Sequence, residues 1–297
     1  MMRKRITLMI GVICCMGILG GCKANLFGKI SCKYDNSDKY TMGGAALTGT
    51  VESIEIEWID GSITIASHDD DTVEFGENSK KDLDSDSTMY YWLDGTTLHL
   101  KYCRSGNWKF NNLDKELTVY IPKDLVSLKD VEINGVSSEI TMESFDTEID
   151  NLAINSVSGK VSVEDIDITE AAEINTTSGK VDVGFTGSMT ELNINTVSGA
   201  VEVSVGETDD AEINTTSGKV KFVTDSVPDT LEINTISGKV ELYVSESSDF
   251  SLEYSTVSGS FSSDIDYSRK NDKYIYGDGT NKVEVNTTSG SAKVYTK

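Results

Sequence analysis

The chain has 297 residues, with 26 Lys+Arg against 49 Asp+Glu and a formal charge of −23. Such a balance excludes a nucleic-acid binder, because neutralising phosphates needs clustered Lys and Arg. Hydrophobic residues at 38% together with 25 Gly exclude wholesale disorder despite the charge.

Residues 1–21 begin with Arg3, Lys4 and Arg5, continue with an apolar run from Ile6 to Leu19, and end at Gly20-Gly21 before Cys22. The run is too short for a permanent membrane span. The order of basic start, apolar core, small residues and cysteine resembles the bacterial lipobox. It implies a lipoprotein signal peptide over 1–21, cleavage between Gly21 and Cys22, and acylation of Cys22. Several acyl chains on one cysteine hold a protein stably to a membrane. Removing three basic residues takes the charge from −23 to −26, and such a body is repelled by anionic headgroups. The expected location is extracytoplasmic, lipid-anchored to the bacterial cell membrane and exposed at the cell surface. Residues 22–44 lack periodicity and end in Gly43-Gly44, which reads as a tether. Cys32 and Cys103 are left either to pair or to stay as free thiols.

Residues 45–131 read as a capping part. Ile54–Ile65 (IEIEWIDGSITI) carries Asp60-Gly61 where later copies carry Ser-Gly. Strand-like runs follow at Thr72–Phe75, Met89–Cys103 and Glu116–Pro122, and the stretch holds Trp58, Trp92 and Trp108. From residue 132 to 297 one template recurs eight times. Its copies are EINGVSSEITM from Glu132, AINSVSGKVSV from Ala153, EINTTSGKVDV from Glu173 and NINTVSGAVEV from Asn193; then EINTTSGKVKF from Glu212, EINTISGKVEL from Glu232, EYSTVSGSFSS from Glu253 and EVNTTSGSAKV from Glu284. The turn glycines fall at Gly159, Gly179, Gly199, Gly218, Gly238, Gly259 and Gly290, a period of 19 to 21 residues with one longer step before the last. Apolar residues alternate on both sides of each Ser-Gly, as in Leu152/Ile154 and Val161/Val163, so each copy is two short strands around a bend. A positive φ at the glycine is the expected reason for its recurrence.

One copy cannot fold alone. Burying four or five apolar side chains yields about 8–15 kcal/mol, whereas ordering 20 residues costs roughly 30 kcal/mol. The deficit closes only if copies stack. The chain is therefore expected to be all-β: a parallel β-solenoid of about 20-residue coils with a capping N-terminal part. Crossover chirality favours a right-handed coil. Stacking places like on like and superposes Asn134, Asn155, Asn175, Asn195, Asn214, Asn234 and Asn286 as an asparagine ladder, with Thr176, Thr196, Thr215 and Thr235 as a second column. Lys160, Lys180, Lys219 and Lys239 form a solvated face, compensated by Glu173, Glu212 and Glu232. Tyr267, Tyr274 and Tyr276, in an insertion before the last coil, read as edge cover, with an exposed contact patch as the alternative.

The run ELTVYIP at 116–122, the serial INTTSGKV-type copies and the late glycine-containing insertion resemble the bacterial putative-adhesin family of β-strand repeat proteins, over about residues 45–297. The resemblance implies a membrane-attached repeat domain of unknown function, with no catalytic residues to transfer. It also brings a link to envelope-stress signalling seen in some relatives.

No catalytic, cofactor or metal constellation emerges. His68 and His99 are isolated, and Asp82, Asp84 and Asp86 fail as an EF-hand because Ser87 and Leu93 replace the required Gly and Glu. A lyase reading has only Arg104 and Arg269 to hold an acidic sugar, and a glycosidase reading has no distinguished acid pair. The expected function is a non-catalytic, surface-anchored binding or scaffold module, with a protein or a cell-wall or glycan polymer as ligand. The alternatives are an accessory or sensor of an envelope-stress system and, less favoured, a carbohydrate-active β-helix enzyme.

Overall fold

The computed structural model describes residues 22–24, 30–106 and 113–297, with side chains from Lys33 onward. The expected signal segment, the acylated side chain of Cys22 and Trp108 lie outside what is described. Among the described residues there is no helix, and all strands but two belong to one sheet of 21 strands.

Ten coils stack in parallel register. From one end to the other they comprise residues 97–122, 53–68, 130–142, 151–163, 171–183, 191–205, 210–224, 230–244, 282–296 and 250–263. At about 4.8 Å per step the stack is roughly 43 Å long. Each bend turns a strand so that both legs of a coil pair with the coils above and below, which is how a 20-residue unit with no core of its own acquires one. Ile56, Ile133, Ile154, Ile174, Ile194, Ile213, Ile233 and Val285 form one inward column, each no more than 1% exposed. The molecule is a β-solenoid, as the repeat period requires.

Chain order fails at both ends. The last copy, 282–296, slots between 230–244 and 250–263 instead of ending the stack. At the other end 53–68 is sandwiched between 97–122 and 130–142. The outermost coils are then covered by antiparallel strands. Val73–Asn78 and Tyr90–Asp94 cover 97–122, while Lys273–Tyr276, extended by Ser268–Lys270, covers 250–263. Short antiparallel covers leave no long parallel edge for another chain to extend. Two of the insertion tyrosines cover the edge, Tyr276 buried and stacked on Phe250 at 4.3 Å and Tyr274 packed at a tilt on Phe261 at 4.0 Å, whereas Tyr267 remains 45% exposed.

Three expectations need correction. The tether reading fails from Tyr34 onward. Tyr34 is 9% exposed and donates its hydroxyl to the Cys103 carbonyl at 3.1 Å, and Thr41–Met42 pairs with Tyr90–Asp94. The glycine rationale also fails: of the seven turn glycines only Gly159 has a positive φ, +128°. The others are required by close approach. A Cβ on Gly199 would lie 2.9 Å from the Gly179 carbonyl carbon and closer still to its oxygen, and the same clash repeats up the stack. Glycine stacks on glycine because nothing larger fits between coils. The third correction concerns the lysines. Lys180 pairs with Asp182 (2.6 Å) and Glu202 (3.3 Å), and Lys219 and Lys239 both reach Glu241 (2.8 and 2.7 Å). Glu173, Glu212 and Glu232 are engaged on a different leg of the coil.

Candidate functional site: the asparagine–glutamate face

The outward side of the Ser-Gly-preceding leg presents two columns, the ladder asparagines and the residues two positions before them. The ladder is continuous. Asn155, Asn175, Asn195, Asn214, Asn234 and Asn286 each donate Nδ2–H to the Oδ1 of the asparagine one coil down, at 2.9–3.0 Å, ending on Asn134. The second amide hydrogen is used within the coil: Asn134, Asn175, Asn214 and Asn234 donate to Glu132, Glu173, Glu212 and Glu232 at 2.7–2.9 Å. The primary amide supplies two donors and an acceptor, so asparagine at this position satisfies the ladder and also fixes a carboxylate beside it. The threonines form a column too, but their hydroxyls turn inward. Thr196, Thr215, Thr235 and Thr287 accept from the amides of Gly199, Gly218, Gly238 and Gly290 at 2.7–3.1 Å, closing each bend.

The carboxylate column runs, in spatial order, through Glu55, Glu132, Glu173, Glu212, Glu232, Glu284 and Glu253, broken by Ala153 and Asn193. Among the described residues, cations meet it only towards its ends. Lys282 pairs with Glu284 at 2.7 Å and Lys273 with Glu253 at 3.5 Å. At the other end Glu55 is gripped by His99 (2.8 Å) and Lys101 (2.9 Å). The hydrogen bond from His99, aided by the Lys101 charge, holds the Glu55 carboxyl down at about 2, while burial raises that of the neighbouring Glu57. The middle of the column keeps its charge on the surface: Glu132, Glu173 and Glu212 are exposed. Sequence reasoning found the asparagines. It missed their glutamates as part of the same array, although the recurring Glu-x-Asn spacing carried the signal.

The opposite charge pattern marks the leg after Ser-Gly, where the Lys180, Lys219, Lys221 and Lys239 ion pairs neutralise the surface locally and Tyr243 stacks on Tyr295 at 4.5 Å. Other candidates serve structure. Lys115, fully buried, donates to Glu77 (2.5 Å), to the Ser87 carbonyl (2.8 Å) and to the Tyr102 carbonyl, which uses all three ammonium hydrogens to pin the cap. Cys103 is a free, buried thiol whose pKa burial pushes up to about 12, which keeps it unreactive. Asp84 caps its own turn through the Ser87 amide (2.9 Å), and Asp86 pairs with Arg104 at 3.3 Å. Arg104 and Arg269 sit in the caps at opposite ends and share no site. A shallow polar depression of about 320 Å³, lined by Asp225, Ser245, Ser248, Asp249 and Asn281 among others, offers hydroxyls and carboxylates but neither imidazole nor thiol.

A repeat solenoid built this way defines a class of proteins assembled from stacked coils, and the chain belongs to the Toastrack DUF4097 family, whose model matches residues 51–295. Among solved structures it is similar to a "putative cell adhesion protein" from Clostridium sporogenes (14% identity, 87% of this chain and 99% of that one, TM-score 0.23). It is also similar to a "putative adhesin" from Bacteroides fragilis (11%, 87% and 97%, TM-score 0.38) and to another from Parabacteroides merdae (14%, 89% and 98%, TM-score 0.37). With TM-scores this low the likenesses are loose, and membership rests on the family match. None of the curated proteins compared with the chain matches it.

Proposed function

We propose that this Toastrack protein is a non-catalytic binding module, anchored through acylated Cys22 on the outer face of the cell membrane, that engages an extended polymer along its asparagine–glutamate face. The observation that supports this reading is the unbroken ladder, which holds carboxylates in a straight column at intervals of one or two coils, about 4.8 or 9.6 Å. A rigid row of identical acceptors suits a ligand that itself repeats, a peptide or glycan rich in hydrogen-bond donors. Each contact is weak, and alignment of many supplies the affinity. The lipobox-like segment supports the location.

The test is retention of the full-length protein, purified in detergent, on an array of glycans, isolated wall polymers and extended peptides. It is compared with the triple variant Glu173→Gln/Glu212→Gln/Glu232→Gln, which keeps every Asn acceptor in place. Retention of the parent and its loss in the variant, at unchanged melting temperature, is the expected result. Equal retention of both proteins, or retention of neither, overturns the reading.

A further inference from the structure

We propose that His68, Asp70 and Glu74 form a zinc-class metal site on the cap, in and beside the loop that joins strands Ser53–His68 and Val73–Asn78. One ligand atom from each of the three side chains lies within 4.8 Å of the others. His68 and Glu74 belong to strands that flank Lys115–Pro122 on either side, and their side chains converge beside Tyr120 of that middle strand. The His68 ring stacks on Tyr120 at 5.5 Å and 26°, and its side chain is 15% exposed, so the imidazole is held in place.

The tautomer of the ring follows from the carbonyl beside it. Nε2 lies 2.6 Å from the Thr72 carbonyl oxygen, and a carbonyl only accepts, so Nε2 carries the hydrogen. In the neutral imidazole Nδ1 is then a lone pair. It is turned toward Asp70, whose Oδ2 is 3.8 Å away, too far for a hydrogen bond. A backbone carbonyl fixing one ring nitrogen while the other is presented to a cation is the outer-shell arrangement of metal-binding histidines. Lys123, whose backbone amide donates to the His68 carbonyl at 3.0 Å, does not fill this gap, because Asp69 holds its ammonium at 2.6 Å. Nδ1 faces the Asp70 carboxylate, and with ligand atoms of His68, Asp70 and Glu74 all within 4.8 Å of one another a divalent ion completes the group.

The donor set selects the metal class. One nitrogen and two carboxylate oxygens suit zinc and its neighbours over calcium or magnesium, which prefer all-oxygen shells. Metal–ligand bonds of about 2.1 Å place tetrahedral ligands about 3.4 Å apart, so the trio must contract slightly. Asp70, with its carboxylate 80% exposed, is free to swing inward. Three protein ligands leave a fourth position to water or to an anionic group of a partner. His99 offers no such site, because its Nδ1 already meets Glu55 at 2.8 Å.

The test uses the full-length chain in detergent, stripped with a chelator and titrated with zinc chloride by calorimetry, with cobalt(II) absorption as a second readout. Expected are about one zinc per chain and visible cobalt bands, with affinity falling roughly tenfold or more in both His68→Gln and Glu74→Gln. Glu246→Gln, far from the loop, leaves binding unchanged. Melting curves of the metal-free variants, expected to match the parent, show that the fold survives. Absence of stoichiometric zinc in the parent, or the same affinity in His68→Gln, overturns the assignment. The outcome is independent of the ladder face.

Discussion

Replacing Gly199 by alanine separates two reasons for a conserved-looking turn glycine within one chain. Gly199 sits in mid-stack with an ordinary negative-φ backbone, so strain at φ predicts little effect. Close approach predicts a large one. The new Cβ would meet the Gly179 carbonyl carbon at 2.9 Å and Thr196 Oγ1 at 3.0 Å, with the Gly179 oxygen nearer still, where ordinary contact begins at 3.4 Å. The obstacle is backbone, so no rotamer relieves it, and the two coils must part by on the order of 1 Å. The turn is clamped by Val181 N–H to the Ala200 carbonyl (2.9 Å), Val201 N–H to the Lys219 carbonyl (2.8 Å) and Gly199 N–H to Thr196 Oγ1 (3.1 Å). Weakening two or three such bonds at about 1 kcal/mol each, with overpacking strain of 1–3 kcal/mol, gives roughly 3–5 kcal/mol. For a domain of this size that lowers the melting temperature by roughly 6–20 °C. Thermal melts of the full-length protein in detergent read the effect, with Gly76→Ala as control, because a Cβ there meets nothing within 4 Å. Asparagine, which tolerates left-handed backbone, decides between the explanations. If Gly199→Asn melts like the parent while Gly199→Ala does not, the close-approach argument is wrong.

Asn195→Ala removes one ladder bond on each side, to Asn175 and from Asn214 (3.0 and 2.9 Å), and should cost about 1–2 kcal/mol in urea unfolding. Lys115→Met strands the Glu77 carboxylate in the buried cap and should cost about 3–5 kcal/mol, most of it recovered in the double variant with Glu77→Leu; no recovery would show that the pair is not the cause. Glu55 carries a carboxyl depressed to about 2 in the fold, so its contribution is complete above the usual carboxylate range and lost as pH falls through about 2. The melting temperatures of the parent and Glu55→Gln should therefore differ at pH 7 and converge as pH falls from about 4.5 to 2; a gap constant with pH refutes this. Cys22→Ala, or blockade of lipoprotein processing, should release or mislocalise the protein in cell fractionation, and unchanged membrane attachment refutes the anchor.

The register of the stack was legible because a period-two apolar pattern admits one inward face, and the fixed distance from Ile to Ser-Gly leaves no slack. The order of the end coils was not. Copies 253–263 and 284–294 share the Ser-Gly turn and the alternating pattern, so the pattern alone does not say which of them follows 232–242. What chooses is the hairpin between them, whose Tyr276 must reach Phe250 and whose cover of 250–263 demands that this coil be outermost. The glycines were misread for a related reason: a positive-φ turn and a contact without room for a methyl write the same residue. Gly61, with φ +95° and a backbone contact to Lys115, obeys both rules at once. The cap resisted because its pins join residues far apart in sequence, as Lys115 does with Glu77 and Ser87, and no repeat advertises them.

The carboxylate column has its own grain. Ala153 and Asn193 interrupt it, so from Glu132 to Glu212 glutamates recur at every second coil, about 9.6 Å, whereas Glu55 and Glu132, and the glutamates from Glu212 onward, lie on successive coils, about 4.8 Å apart. Like charges on directly adjacent strands oppose each other, and the chain compensates where spacing is tightest: Lys282 and Lys273 serve Glu284 and Glu253, leaving Glu212 and Glu232 as an adjacent pair held by asparagines alone. A ligand with donors at the longer spacing is therefore best matched over Glu132–Glu212. Glu132→Gln and Glu173→Gln should then weaken its retention more than Glu284→Gln does. The reverse ranking would place the contact at the other end of the face.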